Sequence, residues 1–162
     1  MQPHSIQSLI AALVTEGVEF VVIGGMAGVL HGAPVVTKDL DIVHRRTPEN
    51  VARLLVLLRS IDARLRADSR RIQPTESMLT GRGHVLLDTS SGPLDVLCEL
   101  GEGEDYEWLL GRSEIMPLDE LPVRVVDLPT LIELKTKAGR PKDRLTIPTL
   151  LATLEERIRA GR

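Results

Sequence analysis

Two aspartates stand at i and i+2 in the apolar run Asp39-Leu40-Asp41-Ile42-Val43, separated by thirteen residues from the pair Gly24-Gly25. In an extended strand successive side chains alternate, so positions i and i+2 share a face. Carboxylates that close repel each other unless a proton or a cation lies between them. A divalent ion bound by hard oxygen ligands is the simplest chemistry for such a pair. Asp95, inside a second short apolar run, is a third acid of the same kind. Taken singly, any one of them also reads as a strand-end cap or an ion-pair partner.

The glycine pair ends the β-rich run Glu19–Ile23 and opens a short helical segment. Without side chains, a backbone can approach an anion closely, and a helix start offers free N–H donors. A phosphate suits that setting; an ordinary strand–helix turn is the alternative. Gly24-Gly25-Met26-Ala27-Gly28 lacks the Gly-x-Gly-x-x-Gly spacing, and no Gly-Lys-Ser/Thr follows. A dinucleotide fingerprint and a Walker P-loop are therefore both absent.

The elements that must position these residues follow from periodicity and caps. A helix is expected over 5–16, with Ser5 as N-cap and Gly17 as its stop. A strand over 19–23 and a short helix over 26–30 follow, the latter halted by Gly32 and Pro34. The second strand is 40–44, and Thr47-Pro48 opens a helix to Ser60 that buries Val51, Leu54, Leu55 and Leu58. A weak strand at 64–67 and a polar loop over 68–83 come next. Apolar runs at 84–89 and 93–99 flank Ser90-Ser91-Gly92 and predict a hairpin. A helical turn at 105–111, a strand at 123–126 and a helix from the Asp127 cap to Ala138 complete the middle. Ile147, Leu150, Leu151, Leu154 and Ile158 mark a final amphipathic helix. The fold class is α/β (α+β), with one small mixed central sheet of four to five strands covered by helices.

At 162 residues one domain is expected over 1–162, its first hundred residues carrying the acids and 101–162 adding a strand and helices. The net charge of −3 points to no polyanion-binding surface. Phe20, Tyr106 and Trp108 are the entire aromatic set, too few for a single-strand stacking platform. Cys98 allows no intramolecular disulfide and reads as a small core residue. The longest apolar stretch, 18–30, is short and glycine-rich, which predicts a cytoplasmic protein without a membrane span. Val56 and Leu57, outside the buried stripe of their helix, hint at a partner surface.

Val22-Ile23-Gly24-Gly25-Met26-Ala27, then Thr37-Lys38-Asp39-Leu40-Asp41-Ile42, resembles the DNA polymerase beta-type nucleotidyltransferase superfamily. Its signature joins a hydrophobic residue, Gly-Gly or Gly-Ser, a spacer and an Asp-x-Asp or Asp-x-Glu pair. Gly92-Pro93-Leu94-Asp95-Val96-Leu97 is similar to the strand bearing that superfamily's third acid. The likeness covers roughly the first hundred residues. Leu131 to Asp143 is also similar to small bacterial members, both minimal nucleotidyltransferases and nucleotidyltransferase-like toxins of abortive-infection systems. The resemblance implies the nucleotidyltransferase fold and transfer of a nucleoside monophosphate from a nucleoside triphosphate, with a toxin–antitoxin or phage-defence role as a further expectation.

The chemistry expected of these residues is an in-line displacement at phosphorus clamped by two metal ions. Asp39 and Asp41 are expected to bridge both ions, and Asp95 to complete the one at the acceptor hydroxyl. Gly24 and Gly25 are placed at the β- and γ-phosphates. Mg²⁺ is favoured over Zn²⁺ because every proposed ligand is oxygen. At about 100° per residue, Lys135 falls in the apolar arc of Leu131, Ile132, Leu134 and Ala138, whereas Lys137 points to solvent. An inward lysine needs an anion, either a triphosphate or a site carboxylate, unless it snorkels past the helix edge. Thr37 is placed beside a carboxylate or a phosphate, and Lys38 on the opposite face. Arg140, Lys142 and Arg144 form a basic loop, solvated or touching substrate. His31 reads as structural and His84 carries no signal.

Two hypotheses follow. One is an Mg²⁺-dependent nucleotidyltransferase with a transfer RNA end, a protein hydroxyl or a small molecule as acceptor, and an antitoxin or other partner chain as an associate. The other is a non-catalytic nucleotide- or partner-binding protein of the same fold.

Overall fold

A computed structural model describes residues 5–161. Most helices start where a side chain can accept one of the free N–H groups of the first turn. Ser5 accepts from the amide of Ser8 ahead of α1 (Ile6–Thr15), and Thr47 from Asn50 ahead of α3 (Pro48–Ser60). Thr75 caps α4 (Glu76–Thr80), Asp105 caps α5 (Tyr106–Leu110) and Asp127 caps α6 (Leu128–Ala138) in the same way. Helix α2 (Gly24–Leu30) springs directly from β1 (Phe20–Ile23) with no side-chain cap. Helix α7 runs Pro141–Arg159.

The strands are β1, β2 (Leu40–His44), β3 (Arg64–Leu65), β4 (His84–Thr89), β5 (Gly92–Leu97), β6 (Ser113–Leu118) and β7 (Leu121–Val126). They form one mixed sheet in the order β3-β4-β5-β2-β1-β7-β6. Strands β1 and β2 are antiparallel neighbours, whereas β2 pairs with β5, and β1 with β7, in parallel. The core joins strand residues Val21, Val22, Ile42, Leu94, Val96 and Val125 to Leu9, Leu13, Leu54 and Leu58 from α1 and α3. Burial of that many large apolar side chains is the dominant favourable term for the chain.

The mixed α/β expectation holds, with corrections in detail. Seven strands form where four to five were expected. The additional strand β6 pairs with β7 across Asp119-Glu120, both with left-handed φ of 48° and 71°. That two-residue turn normally advertises itself with Asn-Gly or Asp-Gly, and no glycine occupies it here. Helix α4 sits inside the stretch expected to be loop; it is a single turn, anchored by buried Leu79. Helix α2 begins at the glycines themselves rather than at Met26. Helix α7 begins at Pro141 and carries Pro148 within it, so the basic loop is in fact a helix start. Leu57 is buried rather than presented to a partner, although Val56 is exposed.

Candidate active site

Register places the central acids. Across the parallel pair β2–β5, Leu40 lies beside Leu94, Asp41 beside Asp95 and Ile42 beside Val96. Leu40, Ile42, Leu94 and Val96 are fully buried, so alternation turns Asp41 and Asp95 together toward the other face. Neighbouring strands lie roughly 4.8 Å apart, close enough for the two carboxylates to feel each other strongly. Burial, and then the charge of Asp95 beside it, raises the pKa of Asp41 from 3.8 to about 7; Asp39 adds to the effect and Lys142 opposes it. Asp41 Oδ1 is buried with no hydrogen-bond partner among the described residues. Asp39 precedes β2 by one residue and is half-buried at the edge of the same cleft.

The glycine pair and the acid pair are one packing unit. On the antiparallel neighbour β1, Ile23 is registered with Asp41, and Gly24 follows it. Gly24 has φ +67°, and a Cβ there would fall onto the Asp41 carboxylate, with its Cγ at 3.1 Å. A Cβ on Gly25 would come within 2.8 Å of Thr37 Oγ1. Thr37 Oγ1 donates to the carbonyl of Asp39 at 3.1 Å, so this hydroxyl orients the backbone that carries the first acid. The spacing seen in the sequence therefore serves close approach between two strand ends as well as any approach to phosphate.

Two hollows meet at these acids. A cleft of about 790 Å³ is lined by Asp39, Asp41, Asp95 and the leucines 86, 97, 100, 131 and 134. A smaller pocket of about 220 Å³ is lined by Gly24, Gly25, Thr37, Asp39, Asp41 and Thr146. Lys135, Arg140 and Lys142 line both, as do Asp39 and Asp41, so three cations and two acids share the rim, and Asp95 lines the larger cleft alone. Lys135 is inward, as its helical phase predicts, and its Nζ stands 3.5 Å from Asp143 Oδ1. Asp143 is fully buried, and its carboxylate accepts from the backbone N–H of Arg140 at 3.2 Å and from its Nε at 2.7 Å. Burial opposes the charge on Asp143, but the Arg140 hydrogen bonds outweigh it and hold its pKa low.

Several residues carry more, or less, than their sequence signals suggested. Asp143 was missed: a single acid in a basic segment reads as solvated until α6 and α7 fold against each other. Arg66 was missed for a similar reason, and its Nη2 lies 2.8 Å from Asp95 Oδ1. The alignment makes no hydrogen bond, so that oxygen has a charge neighbour and no donor. Lys137, expected in solvent, is about half exposed yet pairs with Glu104 at 2.6 Å on the cleft wall. Lys38 and Arg144 are exposed and line neither hollow. His31 is buried with Nε2 at 2.7 Å from the Val126 carbonyl, a structural role. His84 is exposed on the cleft rim, and Cys98 is a buried free thiol.

Among the described residues no three Asp, Glu, His or Cys side chains already enclose a single metal ion. The donor set is instead two neighbouring carboxylates, each with a buried oxygen that no protein donor satisfies, and Asp39 at the margin. Buried carboxylate oxygens without donors, beside one another and open to a cleft, fit a hard divalent cation. The arrangement can hold a polyphosphate between the cationic rim and such an ion.

No family model matches this sequence, and no curated protein does. Solved structures match in shape. A lincosamide antibiotic adenylyltransferase bound to lincomycin superposes with a TM-score of 0.64 at 12% identity, covering 90% of this chain and 94% of the other. An antigenic nucleotidyltransferase-like protein from Paracoccidioides brasiliensis gives 0.61 at 14% identity, over 94% of this chain and 78% of that one. A candidate nucleotidyltransferase from Thermotoga maritima gives 0.57 at 18% identity, over 91% and 90%. At these identities the likeness establishes the fold, which is the nucleotidyltransferase fold. No helix among the described residues is long and apolar enough to cross a membrane.

Proposed function

We propose that this chain is a nucleotidyltransferase that moves a nucleoside monophosphate from a nucleoside triphosphate to an acceptor hydroxyl. The observation that carries the reading is the side-by-side register of Asp41 and Asp95, each with a buried oxygen that no donor satisfies, in a cleft also lined by Lys135, Arg140 and Lys142. Asp39, Asp41 and Asp95 would hold Mg²⁺, which supplies Lewis-acid stabilisation of charge at the phosphoryl oxygens. The cationic rim, with Gly24, Gly25 and Thr37, cradles the triphosphate in the smaller pocket. Asp95 accepts the proton of the attacking hydroxyl. That oxygen bonds to the α-phosphorus, the bond to the bridging oxygen breaks, and pyrophosphate leaves with the electron pair, its charge met by Lys135 and Arg140.

The larger cleft then receives the nucleoside and the acceptor. Its lining mixes leucines with Glu102, Glu104 and the cations Lys135, Lys137, Arg140 and Lys142, and no Phe, Tyr or Trp lines it. Single-stranded RNA binding draws on aromatic side chains for base stacking, so this lining favours a small or amphiphilic acceptor over RNA. Incubation with each labelled nucleoside triphosphate, Mg²⁺ and a lysate should release pyrophosphate and label one acceptor class. Labelled RNA, together with growth arrest on expression, would instead support a toxin role. Nucleotide binding with no metal-dependent pyrophosphate release in any mixture would leave only the binding-protein reading.

A further inference from the structure

We propose that Arg66 is a positioning residue that acts through Asp95: its guanidinium stands at Asp95 as a built-in cation and makes the two ends of the acid row bind divalent ions with unequal affinity. The inference rests on the nucleotidyl-transfer reading above and concerns how its metal positions fill.

Arg66 follows β3 by one residue, and its backbone N–H donates to the Leu86 carbonyl at 2.8 Å, continuing the β3–β4 pairing. Leu86 is registered with Asp95, and Asp95 with Asp41. Arg66, Leu86, Asp95 and Asp41 thus form one row across four strands, and side chains of registered residues share a face. The guanidinium is pinned within that row. Its Nε donates to Asp88 Oδ1 at 3.2 Å and its Nη2 to the Leu87 carbonyl at 2.7 Å, with Asp95 Oδ1 2.8 Å from the same Nη2. Both partners are mostly withdrawn from solvent, at 28% and 18% exposure, so the charge contact is weakly screened. An arginine cannot relieve it by losing its proton.

The other end of the row has nothing comparable. Asp41 Oδ1 has no partner, and the Lys142 charge that favours its ionised form makes no salt bridge to it. A cation arriving at Asp39 and Asp41 therefore meets uncompensated negative charge. One arriving at Asp95 must displace the guanidinium or share the carboxylate with it. Arg66 also fixes the direction of the Asp95 carboxylate before any ion is present.

Mn²⁺ binding to the full chain, counted by the electron paramagnetic resonance of free Mn²⁺ with a non-hydrolysable nucleoside triphosphate analogue present, tests this. The wild-type chain should take one ion tightly and a second about 10-fold or more weaker, the scale on which groups around metal ligands alter affinity. Arg66→Gln should bring the second affinity up to the first, and Arg66→Lys, which keeps the charge, should preserve the gap. Asp95→Asn in the Arg66→Gln background should remove the second ion. Two equal sites in the wild-type chain would overturn the inference without any variant and leave the enzymatic reading standing. An unchanged affinity ratio in folded Arg66→Gln would do the same. No Mn²⁺ bound by the wild-type chain, with or without the analogue, would sink both.

Discussion

Asp41 and Asp143 are both carboxylates within the same site, and their surroundings push them in opposite directions. Asp41, on the strand row, is raised to about 7 by burial and by the neighbouring acids, and one of its oxygens has no partner. Asp143, at the α6–α7 junction, is fully buried but held ionised by Arg140 and Lys135. The helix junction is electrostatically complete without a ligand, whereas the strand row is not. A charge left uncompensated by the fold is where a ligand gains most, since it alone relieves the repulsion. The satisfied end fixes geometry; the unsatisfied end is where the proposed cation would bind.

The sharpest way to break that contrast is Asp41→Asn. It should lower nucleotidyl transfer by at least ~10²–10³-fold, the cost of removing one key electrostatic contact, read as initial rate of pyrophosphate release. The same change should stabilise the metal-free chain at neutral pH. Because the folded pKa of Asp41, about 7, lies above the ordinary aspartate value of 3.8, the protonated acid favours the folded state. Stability from this group is full below about pH 4 and is lost as pH rises to about 7. Denaturant melts of wild type and Asp41→Asn should therefore coincide near pH 4 and separate by about 2–4 kcal/mol above pH 7. A constant gap across that range would show that Asp41 is not strained by charge.

Asp143→Ala should have the opposite sign. It removes the partner of two cations and leaves Lys135 poorly compensated, which costs about 2–4 kcal/mol of stability by denaturant melt. Substrate KM should rise as Lys135 and Arg140 lose their anchor. In the wild-type chain the Asp143 contribution is present above its unfolded pKa and lost as pH falls through its lowered folded value.

Gly24→Ala and Gly32→Ala sharpen the comparison further. Both glycines have left-handed φ, +67° and +91°, and alanine there costs roughly 1–2 kcal/mol in backbone strain. A Cβ at Gly32 meets nothing within 4 Å, whereas one at Gly24 collides with the Asp41 carboxylate. Gly24→Ala alone should therefore abolish metal-dependent stabilisation, measured as the thermal shift with Mg²⁺ and nucleoside triphosphate. The smallest effect belongs to Lys137→Ala. Its pair with Glu104 is more than half exposed on the lysine side and screened by solvent, so the denaturant midpoint should stay at the wild-type value.

Much of the site was legible because local rules produce it. The Asp39-Leu40-Asp41 alternation, the glycines after an apolar strand and the Asp95 run are period-2 and turn signals, and register brings Asp41 and Asp95 together as those signals imply. The inward phase of Lys135 followed from helix geometry alone. Strand β6 was hidden because Glu114, Pro117 and a glycine-free turn carry no strong strand signal, and the edge forms only by pairing with β7. Helix α4 is too short for periodicity to detect and is held by the burial of Leu79.

By itself the amino-acid sequence determined on which face of its own element each candidate group stands, because alternation and helical phase are properties of neighbours along the chain. Which of those groups are compensated was decided only by the tertiary structure. Arg66 reaches Asp95 across a strand met about twenty residues later, and Asp143 meets Lys135 only when two helices close on each other. Electrostatic balance depends on distances through space in a medium from which water has been removed, and no local pattern encodes those distances.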